Sequence, residues 1–388
     1  FSIDLRLQQD LSRLLEGLSA EILGTYDNQA NFFENSTKTF RYTEVIPVLD
    51  SLGAIVDTII NVLGEDTDLS PSRSAGNTQN THYLLHGMLK YNKRFGIHSI
   101  DSWLLSNLDH HIMHGHNNVF RYADFVGNIH YGLAQKYFID ATISYAGTNR
   151  IQEKENRFDL YPAIAAAWLI SNESFLSNID MINYLKLRAS YGKAGNGRIE
   201  VSDRTSSRYG SADGYVFGDE FRGLDGMAES YIPIDRKMYE SSTESNVGIE
   251  SQFFNRLSFN GEFFHTRREN IFVPATGEYS EVLGNFPQLI PSGVIENQGY
   301  ELFLKWEEQY QNFSYFISGM FTHYNNKVID INEIYRPYDY LKREGRPINQ
   351  YFGWESDGFY NQADIEAIAE GNLPEPLFGK VQPGDIRY

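Results

Sequence analysis

Leu185-Lys186-Leu187-Arg188-Ala189-Ser190-Tyr191 is the stretch whose reading decides the fold. Apolar and polar residues alternate strictly across it. A period of two sends one set of side chains to each face of a β-strand. The same period recurs along the chain. Phe1-Ser2-Ile3-Asp4-Leu5-Arg6-Leu7-Gln8 sets apolar odd positions against polar even ones. Tyr83, Leu85, Gly87, Leu89 and Tyr91 oppose His82, His86 and Lys90. Tyr137, Ile139, Ala141, Ile143 and Tyr145 oppose Asp140, Thr142 and Ser144, and Leu257, Phe259, Gly261 and Phe263 oppose Ser258, Asn260 and Glu262. Roughly twelve such stretches are present, each near the roughly 9–11 residues that a tilted membrane-spanning strand needs.

The connections between them alternate in length. Lys93–Gly96, Ala134-Gln135, Phe254–Arg256 and Glu308–Asn312 are short. Asn28–Asn80, Asp109–Tyr122, Thr148–Asn156, Ala194–Thr243 and Arg268–Glu296 are longer, as is everything after Asn326, while Leu176–Asn183 is modest. Tight turns on one side and elaborated loops on the other are the mark of an all-β, up-and-down antiparallel barrel in an outer membrane, with long loops outside and short turns in the periplasm. A soluble sandwich or propeller also alternates in polarity. Its strands are shorter, commonly about 5–6 residues, and nothing requires its connections to alternate. Within the Asn28–Asn80 excursion, the spacing of Leu49, Leu52, Ile55, Val56, Ile59 and Ile60 predicts a short amphipathic helix over residues 48–63.

Bulk properties fit the same class. A net charge of −18 lacks the basic footprint that nucleic acid requires. No run of 18 or more apolar residues exists, so no transmembrane helix is expected; a barrel escapes that test because only every second residue meets lipid. The 26 Tyr and 26 Phe suit aromatic girdles at the membrane surfaces. The absence of Cys excludes a disulfide framework and thiolate metal sites.

Three polar clusters stand out. Asp109-His110-His111-Ile112-Met113-His114-Gly115-His116 is dense enough in imidazole for a transition metal, but it falls in an expected outer loop that fixes no ligand geometry, and a polar loop is the preferred reading. Asp213–Glu220 mixes carboxylates with aromatic rings. It lacks calcium-loop spacing, whereas rings beside carboxylates suit sugar stacking and hydroxyl hydrogen bonds; a solvated or partner-facing loop is the simpler alternative. Gln350–Tyr360 carries aromatics around Gly353 and Gly358, which permit tight turns. From these two loops Tyr215, Phe217, Asp219, Tyr351, Trp354 and Asp357 are the candidate ligand-binding residues. Lys186, Arg188, Glu262, Glu301, Lys305 and Glu307 read as charges on the polar inner wall of a barrel. No G-x-S-x-G, H-E-x-x-H or P-loop is present, so no catalytic residue, metal site or cofactor is expected.

Longer motifs carry a family likeness. Arg157–Trp168 followed by Ser171–Leu176, Leu185–Asn196, Glu240–Gly248, Ile295–Glu301 and Gln382–Tyr388 together resemble the SusC/RagA family of TonB-dependent outer-membrane transporters, in the family's own order from about Tyr137 onward. Tyr161 stands where the family usually has Phe, and Ala146-Gly147-Thr148 where Asp-Gly-Ser is usual; both are scaffold positions. The resemblance implies a barrel of about 22 strands, a plug domain that meets TonB, and a SusD-like surface lipoprotein over the mouth. It implies import of an oligosaccharide or peptide, with no bond broken in the ligand. On this reading residues 1–388 are a partial barrel domain, the middle of a longer protein, with plug and remaining strands outside this chain. The alternatives are a siderophore- or haem-type receptor of the same fold, and a soluble β-rich enzyme acting on polysaccharide.

Overall fold

The computed structural model describes residues 1–31, 35–72, 78–113, 119–151, 155–196, 208–217, 222–231, 239–280, 282, 289–376 and 379–388. Its strands in chain order are β1 (Ser2–Asp10), β2 (Leu18–Asn31), β3 (Asn35–Thr37), β4 (Tyr42–Leu49), β5 (Ile55–Leu63), β6 (Ser70–Ser72), β7 (Thr78–Phe95), β8 (His98–Met113), β9 (Val119–Leu133), β10 (Tyr137–Thr148), β11 (Phe158–Leu169), β12 (Ile182–Asn196), β13 (Arg208–Phe217), β14 (Arg222–Tyr231), β15 (Glu240–Phe253), β16 (Leu257–Pro274), β17 (Leu289–Tyr310) and β18 (Phe313–Asp330). Twelve of them form one antiparallel sheet in the order β1-β2-β7-β8-β9-β10-β11-β12-β15-β16-β17-β18. Every neighbour in that sheet is next in the chain once the small outer ribbons are set aside, which is the up-and-down topology expected from the alternation.

Among the described residues, the tight turns of the twelve-stranded sheet lie on one side. Ala134 and Gln135 have φ of 54° and 55°, and Phe254 and Asn255 have 54° and 56°. Each pair forms the centre of a turn closed by a backbone bond at 3.0 Å, from Lys136 N–H to the Leu133 carbonyl or from Arg256 N–H to the Phe253 carbonyl, and two consecutive left-handed residues give such a turn a twist that matches the strands. On the other side the strands run further than their alternation indicates. β17 covers 22 residues and β16 covers 18, beyond what a bilayer requires; past the lipid the two faces no longer differ in polarity, as in Ile271-Phe272-Val273 and Leu289-Ile290, and the period of two no longer shows. Asp109–Met113, read as loop, is therefore the end of β8; residues 114–118 lie outside the described ones.

The helix expected over residues 48–63 is instead a hairpin, β4 paired with β5. Its apolar residues are largely β-branched (Val45, Ile46, Val48, Ile55, Val56, Ile59, Ile60, Val62), which favours strand over helix. The reversal is fixed by the Asp50 carboxylate, which accepts from the backbone N–H of Leu52 at 2.9 Å and of Ala54 at 2.8 Å, with Gly53 at φ +82°. The spacing that imitates a helix arises because both faces of this ribbon are apolar. A single short helix, α1 (Gln362–Ala369), has a capping box between Asn361 and Asp364.

Two local assemblies explain motif residues. At the short-turn rim, the Glu173 carboxylate accepts from Lys136 Nζ at 2.8 Å, Tyr137 Oη at 2.6 Å and Trp168 Nε1 at 3.1 Å. Asn172 Nδ2 donates to the Gln135 carbonyl at 2.8 Å, so the Ser171-Asn172-Glu173 motif staples two neighbouring connections. At the outer rim, Tyr161 is buried, and its ring lies so close to Gly195 that a Cβ there would come within 2.1 Å of it. Pro162 offers no N–H to the ladder, and β11 pairs with β12 only from Ala163 to Leu169. The small apolar cores also sit at the outer rim: Ile151 with Tyr239, and Val273 with Ala275 and Ile290.

Candidate functional site along the inner wall and outer rim

The register fixes which residues share a face. Cross-strand partners point the same way, so Arg188, Gly248, Glu262, Glu301 and Thr322 form one row. The opposite face exposes Leu187, Val247, Phe263, Tyr300 and Phe321. One side of the wall is thus apolar and open, and the other is charged. All six charged residues assigned to the inside from sequence lie on the charged side, since Lys186 is an even number of residues along its strand from Arg188, as Lys305 and Glu307 are from Glu301.

That inner wall is a set of cross-strand networks. Arg188 reaches over Gly248, whose Cβ would crowd the guanidinium at 3.0 Å. It donates to Glu250 Oε1 and Asn246 Oδ1 at 3.0 Å each, and closely to Glu262. Asn246 donates closely to Glu262, and Lys186 lies 3.4 Å from Glu250. Further round, His130 Nδ1 meets Asp140 at 2.6 Å, Asn128 donates to Thr142 at 2.8 Å, and His82 Nε2 lies 3.1 Å from Asp109. Asn246, Glu250, His82 and Asp109 as partners were missed from sequence, because partner choice depends on register, which one strand read alone does not carry. Among the described residues no group of three His, Asp or Glu side chains has the geometry for a metal ion.

The six candidate ligand-binding residues are not brought together at one point. Tyr215 and Phe217 lie on β13, opposite Leu224 and Arg222 of β14 in an outer ribbon. Asp219 falls outside the described residues. Tyr351 and Trp354 belong to the outer segment after β18 and are 95% and 85% exposed. Asp357 is engaged within the protein: its carboxylate accepts from Arg387 Nη2 at 2.7 Å, beside the Phe359–Ile386 bridge. In the same segment Asp339 accepts from Lys342 Nζ at 2.7 Å, which holds the Asp339 carboxyl below its ordinary range. Tyr338 and Tyr340 stack at 5.4 Å.

A sheet with this topology, an apolar outer face, a charged inner face and long segments at one rim is the wall of an outer-membrane β-barrel. Known proteins narrow the class. No protein-family model matches the chain. The TonB-dependent receptor P3 of Formosa agariphila is 26% identical over 355 residues, covering 79% of this chain and 34% of its own length. SusC, a TonB-dependent receptor of Bacteroides thetaiotaomicron, is 25% identical over 140 residues, 34% of this chain and 13% of its own. Among solved structures, the RagAB peptide importer in its closed-closed state has a TM-score of 0.63 at 14% identity, covering 93% of this chain and 40% of that one. The RagAB peptide transporter gives 0.60 at 15%, covering 84% and 36%. The resemblance to the SusC/RagA type of TonB-dependent transporter is therefore borne out. The relatives are named as receptors and transporters, not enzymes. The chain spans about a third of the length of the P3 receptor.

Proposed function

We propose that this chain is part of the wall of a TonB-dependent importer that carries an oligosaccharide or peptide across the outer membrane. The observation that carries the reading is the two-sided wall: a charged, hydrogen-bonded inner face leads from a rim of long outer segments to a rim of tight turns. The inner face offers a polar path to a hydrophilic ligand, and the outer segments provide the first contacts, through the exposed Tyr351 and Trp354 rings and through Tyr215, Phe217 and Asp219 of the sequence between β12 and β14. A SusD-like lipoprotein covers the mouth, and TonB acts through a plug domain inside the barrel. The wall belongs to a single partial barrel domain over residues 1–388.

The test is uptake by cells carrying the full-length protein. Labelled oligosaccharide mixtures and peptide mixtures are offered with and without a protonophore, and the native complex is purified to identify co-purifying lipoprotein and ligand. Accumulation that stops with the protonophore, together with a lipoprotein in the complex, is the expected result. Uptake that persists without a proton gradient would mean a passive pore, and a complex lacking any lipoprotein would remove the lid from the proposal.

A further inference from the structure

The apolar outer face is not uniform. Across β1, β2 and β7 to β11 it carries three stacked grooves of about 750, 700 and 660 Å³. Each runs between successive rows of outward side chains. The upper groove is walled by Leu5, Leu85 and Leu108, with a floor at Gly24, Ala123 and Gly147. The middle one is walled by Ile22, Leu104, Phe125 and Ile143, with a floor at Gly87 and Gly127. The floor is open because side chains are missing from it: a Cβ built at Gly24 or at Gly87 meets no atom within 4 Å.

The upper groove ends in a polar row. Tyr26, Tyr83, His110 and Arg121 are cross-strand neighbours on the outer face. The Tyr83 and His110 rings meet edge to face at 5.7 Å. His110 Nε2 is buried with no hydrogen-bond partner. Arg121 is exposed and has no ion pair among the described residues, while its backbone N–H donates to Asn149 Oδ1 at 2.7 Å and holds the strand end in place. The next row outward, Asn28, Thr81, Ile112 and Val119, contains no carboxylate either. A cationic, acid-free rim on a chain of net charge −18 is a local exception.

Height fixes what lies beside this row. Tyr131 is on the same face of β9 as Arg121, about ten residues further on, or roughly 33 Å along the strand. At a strand tilt of about 40° that becomes ~25 Å along the membrane normal, the height of a barrel's apolar band. With Tyr131 at the periplasmic boundary, Arg121 and His110 lie in the headgroup layer of the outer leaflet and the grooves lie among acyl chains.

We propose that this face binds one particular lipid: an acylated, phosphate-bearing lipid of the outer leaflet, its phosphate on the Arg121 guanidinium beside the Tyr26–Tyr83–His110 row and its chains in the grooves floored by Gly24 and Gly87. The argument for that occupant is charge complementarity at the rim, apolar complementarity below it, and the vertical position of both. It rests on the barrel's place in the outer membrane and is independent of which ligand is imported, so a failed uptake assay leaves it standing.

The test uses full-length protein extracted from outer membranes in mild detergent, its folding checked by heat-modifiable migration. Native mass spectrometry and a phosphate assay read the retained lipid. Wild type is expected to hold about one phosphate-bearing acylated lipid per molecule. Arg121→Gln loses on the order of tenfold of it, the scale of one charge-assisted hydrogen bond, and Arg121→Lys keeps most of it. Gly24→Leu combined with Gly87→Leu, whose new side chains enter open space, causes a similar loss by filling the grooves. Equal retention in all variants, a retained lipid without phosphate, or a second protein on this face would each overturn the proposal. Inorganic phosphate is added to delipidated protein as a separate arm. If it binds as well to the double leucine variant as to wild type while no lipid is retained, the rim is an anion site only and the lipid assignment fails.

Discussion

The two rims of the wall are held by different physics. At the short-turn rim most reversals take a few residues, several of them in left-handed conformations, and side chains cross from one connection to the next, as Glu173 of the longer β11–β12 connection does to Lys136, Tyr137 and Trp168. At the outer rim the connections are long, and order is supplied by small apolar cores around Tyr239 and Ile290 and by single close contacts such as Tyr161 over Gly195. The difference teaches where a barrel wall of this build can vary. The short-turn rim sets strand register through its tightest hairpins. The outer rim carries the segments proposed to meet ligand, and its constraints are few, local and sharp.

The sharpest of those constraints gives the largest expected effect. A side chain at position 195 cannot coexist with the Tyr161 ring, so Gly195→Leu is expected to cost about 3 kcal/mol or more, at the upper end of overpacking substitutions. The readout is the unfolding midpoint of the full-length protein by heat-modifiable migration. Tyr161→Ala in the same molecule removes the opposing ring and is expected to restore most of the loss. If Gly195→Leu alone leaves the midpoint unchanged, the outer rim is looser than this contact implies.

The matching break at the other rim is Glu173→Gln. Three donors converge on this carboxylate, and Lys136 is the foremost of the influences that lower its pKa to about 2. Its ordinary value is 4.5, so the contribution is fully present above about pH 4.5 and is lost as pH falls toward about 2. Glu173→Gln is therefore expected to lower the unfolding midpoint at neutral pH, with a gap to wild type that narrows steadily between pH 4.5 and 2. A gap independent of pH would show that the side chain acts by shape alone.

How much of this was legible in the sequence follows from the same contrast. Where lipid lies on one side and a polar interior on the other, alternation is strict, and strands such as Leu185–Tyr191 or Tyr137–Tyr145 could be read directly, together with the inward direction of Arg188 and Glu262. Short turns were legible from length even without Asn-Gly pairs, though Ala134 and Phe254 gave no hint of positive φ. Above the membrane the contrast in solvent disappears and so does the signal. Asp109–Met113 passed for loop, and the two-faced apolar ribbon at residues 42–63 passed for a helix. The inner networks were half legible: charge on the face was, the pairing of Arg188 with Glu250 and Asn246 was not. The candidate ligand residues fared similarly, with Asp357 already paired to Arg387 while Tyr351 and Trp354 stand exposed.

A smaller effect is expected from relieving backbone strain in a tight turn. Ala134 holds φ 54°, a conformation that costs an L-residue roughly 1 kcal/mol and glycine almost nothing. Glycine also loses more freedom on folding, by about 0.5–1 kcal/mol. Ala134→Gly is thus expected to be neutral or to stabilise by a few tenths of a kcal/mol. A clear loss would show that the Ala134 methyl group packs against something the turn needs.

The smallest effect on the wall belongs to the largest excision. β4 and β5 pair with each other in a two-stranded sheet of their own, outside the twelve-stranded one, and every residue of β5 is exposed. An isolated two-stranded hairpin is at best marginally stable in water, so it adds nothing cooperative to the sheet below. Its stem brings the chain back to its own start: Thr39 and Thr67 hydrogen-bond at 3.0 Å through their hydroxyls. Replacing residues 40–66 with a short Gly-Ser linker therefore joins points that are already neighbours, and the unfolding midpoint of the full-length protein is expected to stay within about 0.5 kcal/mol of wild type, the range of changes that touch no packed feature. Destabilisation beyond that range would mean that the outer rim supports the wall through this ribbon, and the division of labour between the two rims would have to be redrawn.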